Sequence, residues 1–259
     1  MSTPIVTLTT DWGDAGFFGG KLKGLLCNLV DDVRIVDITH RLEPYNVLTA
    51  TFVVREGCLS FPPGTVHIID VATQQPFLCI KAYGQYYLCC DNGIPSMVFG
   101  DAIEECVSLA VQEGGVYNFA AYSVFAPAAA RLLQGAAPRD LGVPHPQLAP
   151  RSVPRFMQQG DYYRIYVHYI DNYGNAYLSM TYREFEELRQ GRPFALTVRD
   201  QEVTEIMTGY YQQHATADPR RRLRLTVSAT GLLELAVKES SLAQLVGLRV
   251  NESVLLRFK

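Results

Sequence analysis

The sequence predicts two domains: an α/β N-terminal domain with a mostly parallel sheet flanked by helices over residues 1–135, and a small C-terminal antiparallel β-barrel over residues 155–259. A Pro-rich linker, residues 136–154, joins them. Three observations lead there. Up to about residue 135, short β-branched runs alternate with stretches of helical length, the pattern of βαβ units feeding a parallel sheet. Residues 136–154 then hold Pro138, Pro144, Pro146, Pro150 and Pro154 with little periodicity. Beyond them come period-2 runs separated by turn residues, which indicate antiparallel strands with one face turned inward.

Taken in order, Ile5–Thr9, Val33–Asp37, Thr65–Ile69 and Tyr86–Cys90 read as strands. Phe18–Val30 and Val47–Ser60 read as helices between them, and a third runs from Ser123 to Leu133 before Gly135. Pro127 is tolerated there because first-turn backbone donors lack helical partners. In the second domain the strands are Tyr162–Ile170, Ala176–Met180, Phe194–Val198, Leu223–Val227, Leu232–Val237 and Ser253–Phe258. One short helix interrupts them, opened by the capping box Thr181-Tyr-Arg-Glu184 and closed near Gly191. No internal repeat or low-complexity segment is present.

Composition excludes several classes. The 259 residues are 48% apolar and 19% charged, with a formal net charge of −3. This is the composition of a globular chain that buries a core, not of a disordered one. Mild acidity gives no general pull toward nucleic acid or anionic lipid. The one basic cluster, Arg220-Arg221-Arg222 with Arg224, alternates with Leu223, Leu225 and Val227 and reads as a solvated strand edge. No apolar stretch approaches the ~20 residues that cross a bilayer, and Met1-Ser-Thr-Pro-Ile-Val lacks a basic leader, so no membrane and a cytoplasmic location are expected. The six cysteines, Cys27, Cys58, Cys79, Cys89, Cys90 and Cys106, lack CxxC spacing and sit mostly in apolar runs. They read as reduced, buried thiols, with Cys89 and Cys90 pointing to opposite faces of a strand.

Common catalytic signatures are absent: no GxxxxGK[ST], HExxH or GxSxG, and Gly13, Gly16, Gly19 and Gly20 do not form GxGxxG. What remains is a row of polar strand ends: Thr10-Asp11, Asp37-Ile-Thr-His40, Asp70 and Asp91-Asn-Gly93. In a parallel sheet these ends share one rim, where ligands bind. Asp, Asn and Gly also commonly end strands and begin turns, which accounts for any one of them alone.

These segments occur in the order Thr9-Thr-Asp11-Trp-Gly13, Phe18 with Gly20-Lys-Leu-Lys-Gly24, Val36-Asp-Ile-Thr-His40 with Pro44, Phe61-Pro-Pro-Gly-Thr-Val-His67 with Asp70, Asp91-Asn-Gly93, Phe125-Ala-Pro127-Ala-Ala, and Ile170-Asp171-Asn-Tyr-Gly-Asn175. The tail Leu235-Ala-Val-Lys-Glu-Ser-Ser241-Leu-Ala continues them. The ordered set resembles the S-adenosyl-L-methionine (SAM) hydrolase family, hydroxide adenosyltransferases related to the bacterial fluorinase and chlorinase. The resemblance implies an α/β domain followed by a β-barrel, and a homotrimer whose SAM sites lie between one subunit's N-domain and its neighbour's C-domain. It implies SAM or adenosine as ligand; no cofactor and no metal are expected, since no residue spacing demands one. By position it assigns Asp11 to the ribose diol, Tyr45 to the ribose and adenine side, and Thr73 to a hydroxyl near the reacting carbon. It assigns Asp171 to the methionine ammonium, Asn175 to the adenine edge, Ser241 to the methionine carboxylate, and Asp70 to catalysis. On their own residues, Asp171–Asn175 also reads as a hairpin turn and Tyr45 as an aromatic at a helix start.

The sequence departs from the family at the chemistry. The family holds the attacking water with an Asp, an Arg and a His. Here the loop reads Asp70-Val-Ala-Thr-Gln-Gln-Pro-Phe77, so the Asp is kept and the Arg position is Phe77. The later segment reads Phe119-Ala-Ala-Tyr-Ser-Val-Phe125, so the His position is Ala120. The acidic residue five positions after Asp11 is Gly16, with Asp14 as a candidate substitute. Three readings follow: a divergent SAM hydrolase in which Asp70 and Thr73, Tyr122 or Ser123 position the water; a silent homologue that binds SAM or adenosine; and a divalent-cation site built from Asp11, Asp14, Asp70 and Asp91. The five histidines supply no metal set: His40 and His67 hold family-like structural positions beside strand ends, and His145, His168 and His214 are scattered through the linker and the β domain.

Overall fold

The computed structural model describes residues 3–111, 117–207 and 223–259, and the chain divides into two compact units, Met1–Val153 and Pro154–Lys259. In the first, strands β1 (Ile5–Thr10), β2 (Arg34–Thr39), β3 (Val66–Asp70), β4 (Phe77–Ala82), β5 (Gln85–Cys90), β6 (Ile103–Leu109) and β7 (Gly142–Pro144) form one sheet. Its order is β2-β1-β3-β5-β4-β6-β7. Helices α1 (Phe18–Leu29), α2 (Val47–Cys58), α3 (Ile94–Val98) and α4 (Ala126–Leu133) cover it. Leu22 and Leu26 of α1 and Ala129 and Leu132 of α4 join Val6, Leu8, Ile68 and Leu88 in one core. Ala50 and Val54 of α2 and Ile94 and Val98 of α3 join Ile69, Leu78 and Ile80 in another. Cys90 lies in the first core and Cys89 in the second, because adjacent strand residues face opposite ways.

The sheet is mixed, not mostly parallel. β2–β1, β1–β3 and β3–β5 are parallel, whereas β5–β4, β4–β6 and β6–β7 are antiparallel. The reversal begins at a two-residue hairpin between Ala82 and Gln85, where Tyr83 and Gly84 both take positive φ, 53° and 70°. Such a turn matches the twist of antiparallel neighbours. β4 and β6 are absent from the sequence reading, which is why the parallel half stood for the whole. Cys27 also departs from expectation: it lies on the solvent side of α1 and is exposed, while Cys58, Cys79, Cys89 and Cys90 are buried.

In the second unit, β8 (Met157–Gln159), β9 (Tyr162–Ile170), β10 (Ala176–Thr181), β11 (Phe194–Val198), β12 (Gln201–Val203), β13 (Ile206–Met207), β14 (Leu223–Val227), β15 (Leu232–Val237) and β16 (Ser253–Phe258) make a nine-stranded sheet. Period-2 residues, among them Ile165, Val167, Leu178, Leu196, Leu225, Leu235 and Leu256, fill its core with Phe185 of helix α5 (Tyr182–Arg189). The capping box holds: Thr181 Oγ1 accepts the Glu184 N–H at 3.1 Å, and the Glu184 carboxylate accepts the Thr181 N–H at 2.9 Å. Among the described residues the expected barrel is an open, curled sheet whose ladder ends at β12 and β13, and β13 runs parallel to β14. Arg220-Arg221-Arg222 and His214 lie outside the described residues. Arg224 is not on a solvated edge: β13 and β15 flank β14, and Arg224 is buried. Among the described residues no helix is long and apolar enough to cross a membrane.

His67 sits mid-strand in β3, fully buried. Its Nδ1 meets Thr7 Oγ1 at 2.6 Å, and its ring stacks on Tyr87 at 4.7 Å. Tyr87 O–H donates to Gln85 Oε1 at 2.5 Å, and Gln85 Nε2 donates to the Phe61 carbonyl at 2.5 Å. Burial pushes the His67 pKa down from 6.5 to about 4. The unfolded chain therefore takes up the proton first as pH falls, so stability present above pH 6.5 is lost toward pH 4. At 1.36 kcal/mol per pKa unit this is about 2–3 kcal/mol near pH 4.5. Denaturant unfolding of the wild type and His67→Gln at pH 7 and pH 4.5 checks it: the variant should lose less stability on acidification by about that amount.

Candidate functional site

The parallel register decides which strand ends meet. Thr10 of β1 stands opposite Asp70 of β3, so Asp11, one residue on, shares a rim with Asp70. Asp11 Oδ2 accepts two backbone N–H groups, from Tyr45 at 2.9 Å and from Ala72 at 3.3 Å. It thereby ties the loop entering α2 to the loop leaving β3. Both donors are non-glycine residues in the left-handed region, with φ of 65° at Tyr45 and 49° at Ala72. That conformation costs energy and persists where surroundings impose it, often at functional sites. The Tyr45 side chain is 80% exposed.

Asp70 is fully buried at the end of β3. Thr73 Oγ1 donates to its Oδ1, and the Ala121 N–H donates to Oδ2 at 3.2 Å. Burial pushes its pKa up from 3.8 to about 6, with the nearby Asp11 charge adding to the rise and the two hydrogen bonds opposing it. Such a carboxylate is ionised at neutral pH yet retains affinity for a proton, the condition suited to a general base. The Ala121 N–H opens the π turn Ala121–Phe125 that leads into α4. Tyr122 O–H donates to the Phe18 carbonyl at 3.0 Å, and Ser123 is exposed. Of the three hydroxyls the sequence offered beside Asp70, Thr73 is the one hydrogen-bonded to it.

The remaining strand-end carboxylates are engaged elsewhere. Lys23 Nζ donates to Asp37 Oδ2 at 2.5 Å on the surface. Burial raises the Asp37 pKa, but hydrogen bonds and charge from Lys23 and His40 outweigh it and hold it below the usual value. Asp91 accepts the Ala149 N–H at 2.9 and 3.0 Å and meets His145 Nε2 at 3.1 Å, so it fastens the Pro-rich segment. Asp14 pairs with Arg41. His40 Nδ1 meets Thr10 Oγ1 at 2.8 Å. Among the described residues no group of three or more His, Cys, Asp or Glu side chains could hold a metal ion. Phe77 is buried edge-on to Phe125 and Tyr117, at 5.7 and 5.9 Å between ring centres. Ala120 is fully buried in the same core.

In the second unit a cavity of about 620 Å³ is lined by Asp171, Asn175 and Ser241, with Tyr177, Arg224 and Lys238. Asp171 Oδ1 accepts the N–H groups of Tyr173 and Asn175, each at 2.9 Å, and Oδ2 accepts Asn175 Nδ2 at 3.1 Å. A carboxylate offers about four lone-pair positions, so one remains for a ligand donor. Ser241 caps helix α6 (Leu242–Val246), its Oγ accepting the Gln244 N–H at 3.2 Å and keeping its own proton to donate. Gly174, at φ 81°, lets the turn meet the cap: a Cβ there would stand 2.0 Å from Ser241 Oγ. The three residues named from sequence in this unit thus line one cavity. Not singled out for a site were Arg224 and Tyr177 in its wall and Ala72 behind the rim of the first unit; Asn92 stood among the polar strand ends without a role of its own. Alternation in β14 placed Arg224 opposite to the apolar face, the one signal available for it.

Solved structures share this architecture. A conserved protein from Thermotoga maritima superposes with a TM-score of 0.85 at 22% identity, covering 98% of this chain and 99% of the other. Family models for the SAM hydroxide adenosyltransferase N-terminal domain and C-terminal domain match residues 6–142 and 165–255. The chain belongs to the SAM hydroxide adenosyltransferase family. Among curated relatives, an (R)-S-adenosyl-L-methionine hydrolase from Salinispora tropica is 28% identical over 95% of this chain and 94% of its own length. One of the same name from Salinispora arenicola is 27% identical over 98% and 97%.

Asp70 also sets a stability term of opposite sign to that of His67. A carboxyl whose folded pKa is raised stabilises fully below its unfolded value near 3.8, and that stability is lost as pH rises through about 6. At neutral pH the cost relative to a neutral group is about 2–3 kcal/mol. Asp70→Asn should therefore melt at or above the wild-type temperature at pH 8 and lose that advantage at pH 4, as read by calorimetric melting at both pH values.

Proposed function

We propose that the chain hydrolyses SAM to adenosine and L-methionine. Water attacks C5′, the C5′–S bond breaks with its electron pair returning to sulfur as a neutral thioether, and the water's proton passes to Asp70 and then to solvent. The leaving group needs no proton, so catalysis reduces to holding and activating the water in line with sulfur. The observation that carries the reading is Asp70, buried, hydrogen-bonded by Thr73 and the Ala121 amide, and raised to about 6 beside Asp11. In this reading Thr73 positions the water against Asp70. Asp11, with Oδ1 outside the loop-tying bonds, takes the ribose diol, and Tyr45 covers the ribose and adenine. Asp171 takes the methionine ammonium, Ser241 its carboxylate, and Asn175 the adenine edge. Following the family resemblance, we further propose a homotrimer in which each ligand meets one subunit's N-terminal rim and its neighbour's C-terminal cavity, in a cytoplasmic setting that keeps the thiols reduced. Relatives named (R)-SAM hydrolase support the activity.

A second reading, a silent SAM or adenosine binder, is favoured by Phe77 and Ala120. Both positions are packed into the apolar core and offer no polar group to a water. Losing a positioned catalytic group typically lowers a rate by roughly 10²–10⁴, so activity here is slow. The test is chromatographic measurement of adenosine from SAM at high protein concentration. Adenosine above the blank, rising with pH through about 6 and reduced at least ~100-fold in Asp70→Asn, is the expected result. Binding heat without adenosine selects the second reading; no heat with SAM or adenosine overturns both. Light scattering checks the trimer.

A further inference from the structure

Asn92 follows β5 and is buried. Its Nδ2 donates to the Val71 carbonyl at 2.8 Å and reaches the Ala72 carbonyl at 3.5 Å, while its Oδ1 accepts the Ile94 N–H at 3.2 Å. The amide therefore grips the backbone of the β3–β4 loop at the residue held in the left-handed region. That residue's N–H is one of the two donors to Asp11, and the next residue, Thr73, donates to Asp70.

The flanks of Asn92 are immobilised from the other side. Asp91 holds Ala149 and His145. At Gly93, φ 96°, the Arg151 stem lies so close that a Cβ would stand 2.3 Å from its Cδ. Ser96 Oγ donates to the Ala149 carbonyl at 2.9 Å and accepts the Arg151 N–H at 3.1 Å. Asp91-Asn92-Gly93 is thus a fixed three-residue anchor: the Asp91 backbone meets the far end of the loop at Gln74 and Pro76, and the Asn92 side chain alone of the three reaches its near end at Val71 and Ala72.

We infer that Asn92 is a positioning residue: by clamping the Val71 and Ala72 carbonyls it imposes the left-handed turn that aims the Ala72 N–H at Asp11 and the Thr73 hydroxyl at Asp70. The inference rests on the reading of Asp11 and Asp70 as the ligand-facing pair. A helix-start role toward Ile94 alone would need only Oδ1; the Nδ2 contacts are what the inference adds. An ordinary L residue leaves the left-handed region when nothing holds it there. Releasing the clamp therefore frees the Val71–Thr73 end of the loop, whose far end stays held at Gln74 and Pro76, and so admits water to Asp70 and lets its carboxyl return toward ordinary behaviour.

The test uses the full chain in four forms, wild type, Asn92→Ala, Ala72→Val and Asn92→Ala with Ala72→Gly, with two readouts: the Asp70 titration by carboxyl ¹³C NMR, and adenosine affinity by calorimetry. Ala72→Val leaves the amide in place and penalises only the left-handed backbone, so it serves if Asn92→Ala does not fold. Expected are an Asp70 midpoint lowered by about one pH unit or more and adenosine bound roughly tenfold more weakly in both single variants, the size of effect seen when supporting partners of a site are removed. In the double variant glycine tolerates the turn, so both readouts should recover in part while the melting temperature stays low. A folded Asn92→Ala or Ala72→Val with unchanged midpoint and affinity overturns the inference. A wild type that gives no heat with either SAM or adenosine overturns the proposed function instead, and the titration then decides the role of Asn92 by itself.

Discussion

The site in the first unit depends on the parallel pairing of β1 with β2 and β3. Parallel neighbours send their carboxyl ends to the same edge, so the loops after them start side by side. One carboxylate can then serve two of those loops: Asp11 accepts a backbone N–H from the loop before α2 and another from the loop after β3. The antiparallel half of the sheet could not do this, because its successive strand ends alternate between edges. Its contribution is support. β6 and β7 carry the chain back so that residues 145–151 lie against Asp91 and Ser96, while β5, parallel to β3, brings Asp91 and Asn92 to the same rim.

Burying a carboxyl at that rim has a cost and a use, and they are the same physical term. Desolvation disfavours the charged form of Asp70, which destabilises the folded protein at neutral pH and keeps the group basic enough for the proton-accepting role proposed for it. Two hydrogen bonds limit the shift so that the ionised form still prevails at neutral pH. His67, one strand position from the middle of the same β3, shows the opposite arrangement. Its burial keeps a neutral ring that meets Thr7 through Nδ1 and stacks on Tyr87, which Gln85 holds, so its role is packing.

The second unit builds its cavity from turns and not from strand ends. Asp171 folds the turn onto itself by accepting three hydrogen bonds, and Gly174 brings it against the Ser241 cap of α6. Turn formation and the ligand role proposed for Asp171 are compatible here. The bonds that shape the turn leave the outer lone pair of Asp171 and the Ser241 proton facing the cavity.

Much of this was legible in one dimension. Helical periodicity, caps, period-2 runs and the order of the motifs depend on neighbours within a few residues, and they located α1, α2, α5 and the strands β9, β10, β11, β14, β15 and β16 of the second unit, though not the short β8, β12 and β13, and they singled out Asp11, Asp70, Asp171, Asn175 and Ser241 as candidates. Three features were not legible. β4 is a short apolar run after a loop, and nothing local distinguishes an antiparallel return from a parallel crossover. Of four strand-end aspartates, which two share a site depends on the register and on what lies across the rim: Lys23 engages Asp37 and residues 145–149 engage Asp91. Phe77 and Ala120 read as losses of polar groups, and the tertiary structure shows both as members of a packed core. The sequence by itself determined the family, the run of elements and the residue types available to the site, because these are local or ordered along the chain. Only the tertiary structure decided which of those residues meet, which conformations the loops hold and how strongly Asp70 is desolvated, because each of these is set by groups that stand tens of residues apart in sequence.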